Sequence, residues 1–269
     1  MSQSSGKAPP APWQFLLYRL FSLSGIVPIG GFVVVHLSTN ASTLSGPAAF
    51  QNNVNLIHGL GPILPLVEWL FIFGPMIFHA LVGFLVISGA VVNVGSYPFV
   101  GNIRYTLQRV TGVIAFFFII WHVLHMHAYG APLGKGFGEF DPHFAASSAA
   151  EALHPAFYRI LYAIGVIAVS YHLANGIWTF GCRWGIWTSE AAMQRATYAV
   201  LVLGLGITAI GLAAIYGVSS TDPATARQIE QRIYDQRNYI QGKDLQSGGH
   251  SSAVKSSGVN SVPEGTIDK

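Results

Sequence analysis

The chain has 269 residues, of which 51% are hydrophobic and only 9% charged, with a formal net charge of +3 and one cysteine. A soluble domain carries roughly 25% charged residues, so the composition excludes that class and describes an integral membrane protein. No nucleic-acid partner is expected, and the single Cys182 rules out an internal disulfide.

The chain opens with a polar segment, residues 1–16, beginning "MSQSSGK". Apolar stretches nearly free of charge follow at 20–37, 66–92, 110–124, 158–180 and 196–218. Each approaches or exceeds the ~20 residues that a bilayer-spanning helix needs, so the expectation is an all-α membrane domain over 17–218 with five transmembrane helices, four of them forming a bundle. No cleavage-site pattern follows the first stretch, and Arg19 and His36 suit a retained span. Lys7, Arg19, Arg104, Arg109, Arg183 and Arg195 lie at one set of span ends; the alternate ends carry Lys135 and Arg159 beside Glu139, Asp141 and Glu151. Basic residues favour the cytoplasm, which places the N-terminus inside and, with five spans, the C-terminus outside. After the last span, 219–269 reads as an extramembrane tail. Thr221 or Asp222 is a candidate cap for a short helix with Pro223 in its first turn and Ile229, Ile233 and Ile240 on one face. From about Ser247 the Ser/Gly-rich sequence is expected to be disordered.

Ten histidines sort by position. His58, His143, His154 and His250 fall in loops or the tail. His36, His79, His122, His125 and His172 fall inside spans, and "WHVLHMH", residues 121–127, places His127 at the outer end of the third. An ionisable side chain in lipid is costly enough to be a functional candidate by default. A repeat selects among them: "YRLFSLSGIVPIGGFVVVH" and "LQRVTGVIAFFFIIWH" each carry an Arg, then Ser/Thr-Gly, then a histidine ten or eleven residues past the glycine. His122, and not His125 or His127, is therefore the counterpart of His36. "FHALVG" and "YHLANG" put Gly83 and Gly176 four residues after His79 and His172. Positions i and i+4 share a helix face, and glycine there clears room for a flat ligand beside the imidazole.

Depth pairs the histidines. At about 1.5 Å per residue, His36 and His122 lie toward the outer side and His172 toward the inner, leaving His79 as the partner of His172. Zinc wants more ligands than two imidazoles, usually with a Cys or carboxylate among them. Haem iron takes one ligand on each side of its plane, which facing helices of a bundle supply. Without a Cys-x-x-Cys-His the haems would be non-covalent, two haems b that carry electrons.

The segments "RLFSLSGIVPIGGFVVVHLSTN", "LVEWLFIFGPMIFHALVG", "RYTLQRVTGVIAFFFIIWHV" and "YHLANGIWTFG" resemble the membrane anchor of succinate dehydrogenases and fumarate reductases, in the single-chain form with five helices and two haems b. The resemblance covers roughly 17–218. It implies that the anchor docks a flavoprotein carrying FAD and a subunit carrying iron-sulfur clusters on the cytoplasmic side of a bacterial inner membrane. It also implies a place in respiratory complex II of the tricarboxylic acid cycle and passage of electrons to a membrane quinone. His36 and His122 would ligate the haem distal to those subunits, and His79 and His172 the proximal one. The chain has no dinucleotide Gly motif and no cysteine set for a cluster, so succinate chemistry is expected on the partners. Arg19 and Arg109 are candidates for haem propionates or for the iron-sulfur subunit. A cytochrome b anchor of a hydrogenase or formate dehydrogenase, or a non-redox haem-binding membrane protein, is the alternative, and a higher oligomer of the complex is possible. Quinone chemistry needs protons as well as electrons, and Glu68, expected to be the one carboxylate inside a span, is the candidate to exchange them near the distal haem.

Overall fold

The computed structural model of the chain describes residues 12–89 and 94–256, excepting the side chains of 241 and 244–256. Lys7, His250, the 90–92 end of the second apolar stretch and residues 257–269 lie outside what is described. The described residues form helices and turns with no strand. Among the described residues five spans are long and apolar enough to cross a bilayer: Pro12–Ser45, Gly61–Ser88, Val100–Met126, Ala156–Arg183 and Glu190–Ser220. They outrun the apolar stretches because their polar and basic ends continue the helix past the hydrocarbon. The fifth span accordingly begins with a second carboxylate, Glu190, and its helix is capped by Ser189, whose hydroxyl accepts from the Ala192 N–H at 3.2 Å. Their outward faces expose residues such as Leu81, Leu85, Val202 and Leu205, which only lipid makes tolerable.

Two spans are interrupted by proline. The first consists of α1 (Pro12–Ile26) and α2 (Pro28–Ala41), joined at Val27. Pro28 has no N–H and crowds the Ser24 carbonyl, so the helix breaks there and resumes. The second runs through a 3-10 turn (Gly61–Ile63) and α4 (Leu64–Glu68) into a π turn (Trp69–Phe73), then α5 (Gly74–Ser88). Pro75 leaves the Phe71 carbonyl without its helical donor, and the wider turn accommodates the loss. The other spans are unbroken helices: α6 (Val100–Met126), α8 (Ala156–Arg183) and α9 (Glu190–Ser220). In the bundle α8 packs on α6, α9 and α1, while α2 packs on α9 and α1 on α5.

One end of the bundle carries a cap made of segments distant in sequence: α3 (Pro47–His58), the loop from 127 to 144, α7 (Ala145–Ala152) and α10 (Pro223–Ser256). The loop folds back on α6. Gly138, Glu139 and Phe140 donate their N–H groups to the carbonyls of Leu124, His125 and Met126 at 3.0, 2.9 and 3.1 Å, satisfying the last turn of that helix. Gly138 allows this at φ +67°, where a Cβ would strike Ala131 at 2.7 Å. Phe50, Val54, Ala145, Ala146, Ala149, Leu153, Tyr162, Val218 and Ala226 form the cap's apolar core. The Gln51 side chain accepts from the Ala145 N–H at 2.8 Å and donates to the Pro142 carbonyl at 2.8 Å.

The tail differs from expectation in two respects. Asp222 caps α10 through the Thr225 N–H at 2.9 Å and Pro223 opens it, as expected, but the helix is not short and extends to Ser256, past residue 247. Docking of its first turns on the cap supplies the nucleus, after which each further residue is easier to add. The buried face is Ala226 and Glu230, flanked by half-buried Ile229 and Ile233, whereas Ile240 is exposed.

Candidate functional site

The bundle brings the four histidines together as two pairs. Near the uncapped end, His79 lies nine residues before Ser88 and His172 eleven before Arg183, each roughly 15 Å from its span end. Their ring centres are 6.2 Å apart with planes at 89°. The Nδ1–H of His79 donates to the Phe21 carbonyl at 3.1 Å, and that of His172 to the Gln108 carbonyl at 3.0 Å. Both arrangements fix the tautomer that leaves Nε2 bare for a metal. The helices can approach this closely because glycine faces each ring. A Cβ on Gly25 would come within 2.6 Å of His79 Cε1, and one on Gly112 within 2.8 Å of His172 Cε1. Phe21 and Gly25, like Gln108 and Gly112, stand four residues apart on one face, so the repeat between the first and third spans builds the same seat twice.

A polar chain braces the His172 seat. Arg104 Nε donates to Asn175 Oδ1 at 2.9 Å, Asn175 Nδ2 to Gln108 Oε1 at 2.7 Å, and Gln108 Nε2 to the His172 carbonyl at 3.1 Å. The Arg104 guanidinium also lies 3.9 Å over the Trp178 ring.

Toward the cap, His36 and His122 have ring centres 5.6 Å apart at 76°. His36 stacks on Phe32, and His122 on Phe118. His122 Nδ1 lies 3.2 Å from the Tyr162 hydroxyl, which lies 2.8 Å from His125 Nδ1. His125 itself is 1% exposed, stacked on Trp121 and against Tyr158, whereas the four paired imidazoles are only half-buried. His125 therefore has no open face for a ligand. Among the described residues no group of three or more His, Cys, Asp or Glu side chains converges, so a metal held here takes two protein ligands and no more. Two imidazoles on opposite sides of one iron, each bound at about 2 Å, set their ring centres roughly 6 Å apart, which both pairs match.

The profile of the succinate dehydrogenase/fumarate reductase transmembrane subunit matches residues 89–213. The chain is also 31% identical, over 211 residues, to the succinate dehydrogenase cytochrome b558 subunit of Bacillus subtilis (strain 168), an alignment spanning 76% of this chain and 96% of the relative. The chain belongs to the succinate dehydrogenase/fumarate reductase transmembrane subunits.

As a membrane anchor subunit of such a complex it places the remaining candidates as follows. Glu68 ends α4 at the mouth of the π turn, half-buried, with Oε2 3.9 Å from His127 Nε2. Trp69 donates from Nε1 to the Tyr129 hydroxyl at 3.1 Å, and Tyr129 donates its N–H to His127 Nδ1 at 3.2 Å. The three histidines of "WHVLHMH" thus differ in surroundings: His122 faces His36, His125 shares the Tyr162 hydroxyl with His122, and His127 approaches Glu68. Arg19 lies over the Phe15 and Trp184 rings. Arg109 donates to the Tyr105 carbonyl at 3.0 Å, while its Nε and the Thr106 hydroxyl are buried without a partner among the described residues. Gly83 and Gly176 have open surroundings: a Cβ would meet only Phe21 at 3.8 Å and Gln108 at 3.7 Å. Sequence reasoning missed Gly25, Gly112, Tyr162, His125 and the Arg104–Asn175–Gln108 chain. The repeated Ser/Thr-Gly was a visible signal for the glycines; which imidazole each one faces depends on helix packing.

Proposed function

We propose that this anchor subunit passes electrons between an iron-sulfur subunit, itself bound to an FAD-carrying flavoprotein, and membrane quinone, by way of two haems b. His79 and His172 hold the proximal haem and His36 and His122 the distal one. The observation that carries this reading is two His–His pairs at different depths, with ring centres 6.2 and 5.6 Å apart and with Nδ1 of His79, His172 and His122 each within hydrogen-bond distance of an oxygen, which leaves Nε2 for a metal. A haem held at each pair would supply one-electron transfer. The chain's own residues do the positioning. Gly25 and Gly112 seat the proximal rings, Phe21 and Gln108 orient them, and Gly83 and Gly176 leave a face open to a flat macrocycle. Arg109 Nε and the Thr106 hydroxyl, donors without a partner among the described residues, suit a propionate, with Arg19 a second cation at the same level. Glu68, next to His127, exchanges protons with quinone at the capped end.

Succinate is handled on the partner subunits, a reading supported by the spans and cap that make up the described residues. The exposed Arg183 and Arg195 support a reading in which their face lies in the cytoplasm of a bacterial cell and the cap lies outside the inner membrane. Exchange of single histidines tests the ligand set. His122→Ala should lose one haem per chain and spare the other, as judged by the reduced-minus-oxidised spectrum and haem content; His125→Ala and His127→Ala should retain both. Haem loss in His125→Ala but not in His122→Ala would reverse the assignment.

A further inference from the structure

We propose that Tyr162 and His125 form a hydrogen-bonded chain behind His122 that sets the redox potential of the haem held by His36 and His122; the inference rests on the ligand reading above. One phenol oxygen lies between two imidazole nitrogens, 3.2 Å from His122 Nδ1 and 2.8 Å from His125 Nδ1. A hydroxyl has one hydrogen to give. His122, committed through Nε2, carries its proton on Nδ1 and donates to the phenol oxygen. Tyr162 therefore donates to His125, whose Nδ1 is bare and whose proton sits on Nε2. Both members are buried, Tyr162 at 6% and His125 at 1% exposure, so water does not compete and each bond strengthens the next.

The chain is rigid because the cap holds it. His125 is stacked on Trp121 at 5.3 Å, and its carbonyl receives the Glu139 N–H at 2.9 Å. Both proximal ligands donate instead to main-chain carbonyls that no side-chain exchange removes, with the Ser24 hydroxyl a further 3.4 Å from His79 Nδ1. The second distal ligand, His36, has Asn40 Nδ2 3.5 Å from its Nε2. Of the four, His122 is the ligand whose Nδ1 is held by a side chain in place of a main-chain carbonyl. A stronger acceptor at Nδ1–H makes the imidazole more basic and favours ferric iron, so removing the chain should raise that haem's potential. Tyr162 and His125 are positioning residues; neither touches the iron.

The test is a redox titration of both haems in the assembled complex, read optically. Tyr162→Phe should keep two haems and shift one midpoint upward by the equivalent of about a tenfold change in the ferric-to-ferrous ratio, ~59 mV, leaving the other in place. His125→Leu should shift the same haem in the same direction, and His125→Asn, whose amide oxygen accepts from the Tyr162 hydroxyl, should restore the parent value. A Tyr162→Phe protein that titrates like the parent overturns the inference while leaving the ligands intact. Should Tyr162→Phe lose the haem outright, the His125 series decides: equal midpoints in Leu, Asn and parent overturn it. Retention of both haems in His122→Ala overturns the ligand reading itself.

Discussion

Gly112 and Gly25 decide whether the proximal pair can form. The His172 ring cannot retreat from a new methyl group at Gly112, because the Gln108 carbonyl holds Nδ1 from the same helix, and a Cβ there would lie 2.8 Å from Cε1 and 3.1 Å from Nδ1. Overpacking of this kind costs about 1–3 kcal/mol. Gly112→Ala should therefore reduce haem content from two per chain to one, with the distal spectrum preserved, and Gly25→Ala should do the same through His79. Gly83→Ala and Gly176→Ala meet only ordinary contacts within the fold, so haem loss in those variants would report the macrocycle itself. The histidines were legible in the sequence because an ionisable residue inside an apolar span has no bland explanation, and because the repeat picked one of three. Their supports were not. A backbone carbonyl looks alike under Phe21 and Gln108, and a tyrosine 40 residues away announces no contact with His122.

At the scale of elements the cap was the least readable part. The α7 sequence "AASSAAEA" has no amphipathic stripe, since Ala145 through Ala150 are all buried by segments far away in sequence. Glu230 reads as a solvated charge between Ile229 and Ile233, yet it is fully buried. It accepts from the Ala146 and Ser147 N–H groups and from the Ser147 hydroxyl, the last at 2.6 Å, and so latches α10 onto the first turn of α7. Glu230→Ala would orphan those donors and should lower the local stability of the cap by about 2–4 kcal/mol, seen as faster hydrogen exchange in α7 and as proteolysis of the 127–144 loop. Burial holds the Glu230 carboxyl above the ordinary carboxylate range, outweighing the opposing pull of Ser147, Ala146 and Arg227. With a raised value in the docked state, docking is strongest below the ordinary carboxylate range and weakens as pH rises through the raised value. Exchange protection of α7, corrected for intrinsic rates, should fall across that window in the parent and stay flat in Glu230→Gln.

The two ends of the molecule are chemically unlike, and in the proposed function each has one task. At the uncapped end Arg183 and Arg195 are exposed, whereas Arg104 is tied into the brace of His172. Arg183→Gln with Arg195→Gln should leave both haems in place but reduce co-purification of the flavoprotein and iron-sulfur subunits, increasingly at higher salt. Arg104→Ala should retain those subunits and disturb the proximal haem. Reducing a quinone takes two protons with two electrons, and in the proposed function Glu68, at the capped end, supplies them. It stands eleven residues before His79, about 16 Å further outward along the second span, and the π turn beside it carries Trp69 and Phe73 against Tyr129 and His127. The 3.9 Å approach of His127 gives a proton somewhere to come from on the loop side, so the pair spans the junction between lipid and cap. A Glu68→Gln protein keeps the size and one acceptor oxygen but neither holds nor releases a proton near neutral pH. It should retain both haem bands and full succinate oxidation with a soluble dye, which draws electrons before they reach the distal haem, while quinone-dependent turnover falls at least tenfold, about 1.4 kcal/mol or more on the barrier. Parent-level quinone turnover in that variant would move the proton exchange to another residue and, with it, the quinone site away from the capped end.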